Sequence, residues 1–504
     1  MTPPPKRTPP AARTAPLKRR LIGPLLTTGD GASADDRAKL LYTVAGSVAV
    51  LGDLDATRGI TPARDQFVTL FNATFPDPEV VRPLVIARQY MRCFLTQEQI
   101  STLADADRSG PHTIFRIWPD FKLHAHIDRS VSTVKADAAA RSYGTSGEGI
   151  VWAVIDSGVA ASHPHFSCPG IGPTLGDDLV AGLHRDFTYL MSPDGTPTDD
   201  PAPALLDELG HGTHVAGIIA GAMPRAPAEV LIATNQPTTD DLPAWVPRTL
   251  QPGHTLDGIA PKTRIVSLKV LDSNGETSSS AVIAALDHVK QMNNDGRLQI
   301  HGVNLSLGCD WYPDEYAAGQ SPLCRSVNDL VRNGVVVVVS AGNSGAAGTL
   351  TGGSGDVSGQ LSTITDPGNA SEAITVGSTH RLSPHMYGIS YTSSKGPTLD
   401  GRPKPDLVAP GERITSAATG AMCDGVKPLQ GKPDAATYIE DSGTAMAAPH
   451  VSGAIAAFLS VRSEFIGQPD VVKRLFCQNA TSLDRHEFFQ GAGLLDLMRV
   501  LSNV

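Results

Sequence analysis

Residues 150–158 read Ile-Val-Trp-Ala-Val-Ile-Asp-Ser-Gly: six apolar residues run straight into an aspartate and a turn. A continuous apolar run of this length predicts a strand buried on both faces, as in a parallel sheet covered by helices. Working outward, the pattern recurs at Arg264–Val270 (RIVSLKV), Gly302–Leu307 (GVNLSL), Val335–Val339 (VVVVV) and Ala373–Val376 (AITV). Ser279–Met292 and Ser326–Asn333 read as intervening helices. The alternation predicts an α/β, doubly wound, mostly parallel sheet after about residue 130, with a site at the C-terminal ends of its strands. Asp156 stands at such an end. Alone it either orients a histidine or caps a turn, since Asp-Ser-Gly is a common turn sequence.

Three further strings stand out. Gly210-His-Gly-Thr-His-Val-Ala-Gly-Ile-Ile-Ala-Gly221 places His211 at the start of a small-residue helix, and an imidazole suits proton transfer near neutral pH. Ser442-Gly-Thr-Ala-Met-Ala-Ala-Pro-His-Val-Ser-Gly453 opens a long apolar helix running to about Leu459. Free N–H groups at its start favour developing negative charge. Val339-Ser-Ala-Gly-Asn-Ser-Gly345 follows a buried strand, where an asparagine is otherwise a turn residue. Together, in the order Asp, His, Ser-motif, these strings resemble the signatures of the subtilisin-like serine proteases. The resemblance covers roughly residues 130–500. It implies that Asp156 holds and polarises His211, and that His211 is the general base and acid. Asn343 and the backbone N–H of residue 445 would donate to the oxyanion. It also implies that Ser306-Leu307-Gly308 pairs with an extended substrate by strand addition and walls the S1 pocket, with Ser340-Ala341-Gly342 as the opposite wall. Ser393–Pro397 and Lys404–Gly411 match scaffold segments.

One residue departs from the family. Its motif reads Gly-Thr-Ser-Met-Ala; here Ala445 stands at the nucleophile position, in Gly443-Thr-Ala-Met-Ala447. Alanine has no oxygen to form an acyl-enzyme, so the chain as written is expected to be inactive. Two origins are considered. One is a deliberate Ser-to-Ala replacement that traps a precursor, favoured because every other part is retained. The other is a natural pseudoprotease that binds peptides.

Before residue 130 the character differs. Residues 1–35 read as a disordered, basic, Pro-rich tail. Residues 36–128 read as a small α+β unit, with a strand at Val85–Leu95, a helix N-capped by Thr96, and an extended His112–Leu123 whose Pro119 marks an edge or a strand end. The resemblance makes this unit a propeptide, chaperoning and inhibiting residues 129–504 with its tail, Phe121–His126, in the cleft. An active enzyme would cut itself near residues 124–130.

The chain has 504 residues and a net charge of −10, which excludes a general nucleic-acid binder. The first 20 residues carry Lys and Arg without an apolar core, and Leu21–Leu26 is short and broken by Gly and Pro. No secretory signal or membrane partner is therefore expected, and a cytoplasmic enzyme is the default. The six cysteines form no CxxC pair and are expected to be reduced, with the pairing of Cys309 and Cys324 left open. No cofactor is required for the expected chemistry. A structural calcium is possible near Asp194, Asp199, Asp200, Asp207 and Glu208, although such acidic loops are usually just solvated. The expected partners are protein or peptide substrates and the chain's own propeptide.

Overall fold

The computed structural model describes residues 21–22, 26, 47–55, 57, 59–78, 80–85, 90–119, 130–168, 170–192, 195–223, 230–236, 244–248, 250, 255–294, 297–309, 317–347, 358–423 and 436–504. The chain divides into two compact units, Met1–His124 and Ala125–Val504.

In the smaller unit the elements are β1 (Val48–Leu54), α1 (Ile60–Thr74), β2 (Leu84–Val85), β3 (Tyr90–Leu95), α2 (Gln97–Ser109) and β4 (Ile114–Pro119). They build an antiparallel sheet of order β2-β3-β1-β4. Phe67 and Phe71 of α1 and Ile100 and Leu103 of α2 are buried with Val50, Met91 and Leu95 of the sheet. Thr96 caps α2 in a reciprocal box: its hydroxyl accepts from the Gln99 N–H, and the Gln99 side chain accepts from the Thr96 N–H. Pro119 ends the strand β4, opposite Val50 of β1. Two expectations change. Val85–Leu95 is not one strand, because Val85 pairs antiparallel with Met91; an apolar run without Gly, Pro, Asn or Asp gave no turn signal. Ile22 and Leu26, assigned to the tail, are buried in this unit's core.

The larger unit contains α3 (Ala136–Tyr143), β5 (Val151–Asp156), β6 (Arg185–Asp186), α4 (His211–Ala220), β7 (Val230–Gln236), β8 (Ala244–Arg248), β9 (Arg264–Lys269), α5 (Ser279–Met292), β10 (Gly302–Leu305), α6 (Pro322–Arg332), β11 (Val336–Ser340), β12 (Ile374–Thr379), β13 (Leu407–Pro410), β14 (Ile414–Ala417), β15 (Ala436–Asp441), α7 (Thr444–Val461) and α8 (Pro469–Gln478). The main sheet runs β13-β12-β11-β10-β5-β9-β6, and every pairing in it is parallel. A second sheet runs β14-β15-β7-β8. Alternate residues of β5 serve opposite cores. Trp152 and Val154 share a core with residues of α4 and α7, while Val151, Ala153 and Ile155 share the other with residues of α5 and α6. Burial on both faces is why the strands read as unbroken apolar runs. The helix α7 is long and apolar enough to cross a membrane by length and composition, but it is the buried centre of the first core.

Two boundaries differ from the sequence reading. The helix α6 begins at Pro322 rather than Ser326, with the Ser321 hydroxyl accepting from the Cys324 N–H. A serine followed by proline is a helix-start signal, here lying just before the stretch read as helical. The strand β10 stops at Leu305, so Ser306–Gly308 lie beyond the sheet's C-terminal edge. The unit is firmly built from Ser130 onward: Ser130 is buried, and its hydroxyl lies 2.9 Å from His450 Nε2 in α7.

Candidate active site

Asp156 is the last residue of β5 and is fully buried. Its Oδ1 accepts from the Ser157 N–H at 2.8 Å and lies 2.8 Å from His211 Nδ1. An ionised carboxylate only accepts, so the imidazole donates from Nδ1 and leaves Nε2 as the basic nitrogen. His211 opens α4, and the helix approaches the strand end closely enough that a Cβ on Gly212 would stand 2.2 Å from the Gly158 carbonyl. Burial pushes the His211 pKa down. The Asp156 charge and hydrogen bond, with weaker help from Asp441 and Asp207, outweigh it and hold the imidazole up at about 9.

A second carboxylate fixes this pair. Asp207 Oδ1 accepts from the Gly210 N–H at 2.7 Å and the Ser157 hydroxyl at 2.8 Å. Its Oδ2 accepts from the Thr213 N–H at 2.8 Å and the Thr213 hydroxyl at 2.6 Å. Ser157 Oγ in turn accepts from the Gly212 N–H at 2.9 Å. One buried group thereby locks the turn after Asp156 to the first turn of the His211 helix. The sequence reading placed Asp207 in an acidic loop expected to be solvated; it is buried instead, and burial raises its pKa. The local signal was an aspartate three residues before Gly210, but its partner Ser157 lies 50 residues away in sequence.

The third part lies at the start of α7. Asn343 Oδ1 accepts from the Thr444 N–H at 3.0 Å and the Thr444 hydroxyl at 3.1 Å. Its Nδ2 hydrogens are left without a partner among the described residues, and Nδ2 would stand 3.2 Å from a Cβ placed on Gly443. The Ala445 N–H is an unfilled donor of the helix's first turn among the described residues. The Ala445 carbonyl accepts from the Ser306 hydroxyl at 2.8 Å. Asn304 and Ser452 extend that link into the sheet and along α7. Ser442, the nearest upstream serine, is occupied elsewhere, accepting from the Arg413 N–H at 2.8 Å.

The family model for the subtilase family matches residues 147–493, more than two thirds of the chain. The chain belongs to the subtilase family. Serine protease AprX of Bacillus subtilis is 26% identical over 391 residues, covering 76% of this chain and 73% of AprX. Subtilisin DY of Bacillus licheniformis is 27% identical over 371 residues, covering 74% of this chain and 97% of that protein. Pyrolysin of Pyrococcus furiosus is 31% identical over 330 residues, covering 58% of this chain and 21% of pyrolysin.

The remaining expected residues of this subtilase fall as follows. Ser306 is buried, with its hydroxyl spent on Ala445; Leu307 is half-buried and Gly308 is exposed. In Ser340–Gly342 the backbone is used within the fold: the Ala341 N–H donates to Val376, the Ala341 carbonyl accepts from Thr365, and the Gly342 N–H donates to the Thr444 hydroxyl. The described acidic residues of that loop do not gather. Asp199 pairs with Arg185, Asp200 accepts from the Ala202 N–H, Glu208 lies near Lys269, and Asp194 lies outside the described residues. Among the described residues no group of three or more His, Cys, Asp or Glu is placed to hold a metal. Cys309 and Cys324 are not joined in a disulfide. Phe121–His126 also lie outside the described residues.

Proposed function

We propose that this subtilase is a serine endopeptidase arrested at its nucleophile. The observation that carries the reading is the coexistence of the His211–Asp156 hydrogen bond with the split use of Asn343, whose oxygen is tied down while its donors are left over. With serine at 445, His211 Nε2 takes the hydroxyl proton as the oxygen attacks the peptide carbonyl. The developing oxyanion accepts from Asn343 Nδ2 and the residue-445 N–H. The imidazolium then gives its proton to the leaving amine, and water hydrolyses the acyl-enzyme by the same steps reversed. Asp156 keeps the imidazole oriented and stabilises its charge. Alanine removes the attacking oxygen and leaves the rest.

In this reading Ala445 is a replacement that stops the chain before its first cut, and the smaller unit is the propeptide. The fixed start of the larger unit at Ser130 supports a cut just upstream. The substrate strand is Ser306–Gly308, and Ser340–Gly342 is the facing wall. The test is Ala445→Ser. Self-cleavage near residues 124–130 and hydrolysis of casein are expected. A natural peptide-binding pseudoprotease is the second reading, favoured by Ala445 itself. Tight peptide capture by both forms without turnover by the serine form would establish it instead.

A further inference from the structure

Lys395 is buried, and its Nζ donates to three carbonyls: Tyr391 at 2.8 Å, Gly345 at 2.9 Å and Ser393 at 3.0 Å. These bonds use all three ammonium hydrogens. The centre of the Phe489 ring lies 5.7 Å from Nζ. No carboxylate among the described residues is paired with it, and burial pulls its pKa below the ordinary lysine value. Burying an ammonium without a counter-charge is unfavourable, so a scaffold alone would be better served by a neutral residue. The three carbonyls come from two segments. Tyr391 and Ser393 belong to the turn after β12 and are tied back to that strand, with Ser393 Oγ accepting from the Ser378 N–H at 3.1 Å. Gly345 belongs to the loop after β11 that presents Asn343. The segments run so close that a Cβ on Gly345 would overlap the Ser393 carbonyl and Lys395 Nζ. Carbonyl oxygens converging on one point repel one another, and the ammonium at that point turns repulsion into attraction. The neighbours of Asn343 bond to the same turn. The Gly342 carbonyl accepts from the Ser394 N–H at 2.9 Å, the Ser344 N–H donates to Ser394 Oγ at 3.1 Å, and the Gly345 N–H donates to the Thr392 carbonyl at 2.9 Å.

We propose that Lys395 is a positioning residue for the oxyanion donor, its ammonium clamping the Asn343 loop against the turn after β12 so that Nδ2 stays where the charge develops. The inference rests on the peptidase reading. Lys395 acts through Asn343, from behind the loop. A donor aimed at a charge that exists only in the transition state governs kcat and leaves KM alone. A lysine that only stabilised the fold would lower the melting temperature and leave both constants unchanged. Two residues that act through one donor are coupled, so the losses from Lys395 and Asn343 should not add.

The experiment places Lys395→Met, which keeps the stem and removes the charge, in the Ala445→Ser chain and in Ala445→Ser/Asn343→Ala. Hydrolysis of a fluorogenic tetrapeptide amide is followed in each. In the first background kcat should fall by about 10- to 100-fold with KM held within about twofold, the scale of a small misplacement remote from the chemistry. In the second, kcat should fall by less than about threefold. An unchanged kcat in the first background, a matching rise in KM, or an equal loss in both backgrounds overturns the proposal and leaves the peptidase reading intact. Turnover by none of the serine forms overturns the peptidase reading instead, and hydrogen exchange in the Ala445 chain then decides whether Lys395 holds the loop. Lys395→Met should speed exchange of the Ser344 and Gly345 N–H groups at least about tenfold, while the Ala341 N–H, bonded to Val376 in β12, stays protected. Unchanged exchange at Ser344 and Gly345 contradicts the clamp. If Lys395→Met does not fold, Lys395→Gln is read by the same measurements against the same limits.

Discussion

The helices α4 and α7 both open on a glycine with no side-chain cap of its own, Gly210 and Gly443, yet their first turns are finished in opposite ways. At α4 a buried carboxylate and a serine close the turn: Asp207 takes the Gly210 and Thr213 N–H groups, and Ser157 takes that of Gly212. At α7 the cap is the neutral oxygen of Asn343, which takes the Thr444 N–H and hydroxyl and leaves the Ala445 N–H unfilled among the described residues. A negative cap offsets the positive end of a helix, whereas a neutral, partial cap leaves that end open to incoming charge. The first helix is finished so that a base stays still. The second is left unfinished so that an anion can arrive.

The largest effect should come from the base side. In the serine form, Asp156→Asn should lower kcat by about 10⁴-fold, a magnitude taken from subtilisin itself, a member of this family. The cause is separately visible in the Ala445 chain. The His211 imidazole, held up at about 9, should fall once the Asp156 charge and hydrogen bond are gone and burial is opposed only by the weaker pull of Asp441 and Asp207. NMR titration of the ring measures this directly. The sign also fixes the activity profile. The base works unprotonated, so kcat/KM of the serine form should climb as pH rises from 7 toward 9, and an acid optimum would contradict the assignment.

The open helix should respond next. Asn343→Ala in the serine form should cost about 10²–10³-fold in kcat with little change in KM, again the subtilisin magnitude. An equal rise in KM would mean that Asn343 serves ground-state binding instead. Smallest in rate but largest in stability is the closed helix. Asp207→Asn sets an amide NH₂ against donors that now find acceptors, and should destabilise the fold by about 2–3 kcal/mol. The expected loss in kcat is about 10-fold, read by thermal denaturation and steady-state kinetics together. A stable variant with unchanged kcat would break the contrast between the two helices.

Sequence carried the strands and the reactive positions unevenly. The runs at Ile150–Ile155 and Val335–Val339 announced the parallel sheet because two-sided burial leaves no polar face, and the strands fall within a residue of those runs. Thr96 announced a helix start because a cap is a local event. Asp156 and His211 were legible as motif residues, but their 2.8 Å hydrogen bond belongs to the fold. What stayed hidden depended on distant partners. Asp207 looked like one acid among several until Ser157 and Thr213 surrounded it. Lys395 read as part of a scaffold segment, and the Gly345 carbonyl that it holds lies 50 residues away in sequence. The reversal between Val85 and Tyr90 was invisible because its residues resemble the strand they interrupt.

The most direct test of the whole account is the addition of one oxygen. The Ala445→Ser chain, treated with a fluorophosphonate and weighed as an intact protein, should gain one adduct per chain, located at residue 445 and lost when His211 is also replaced by alanine. A serine form that takes no adduct after processing, or takes it at another residue, would contradict the claim that everything but the nucleophile is already in place.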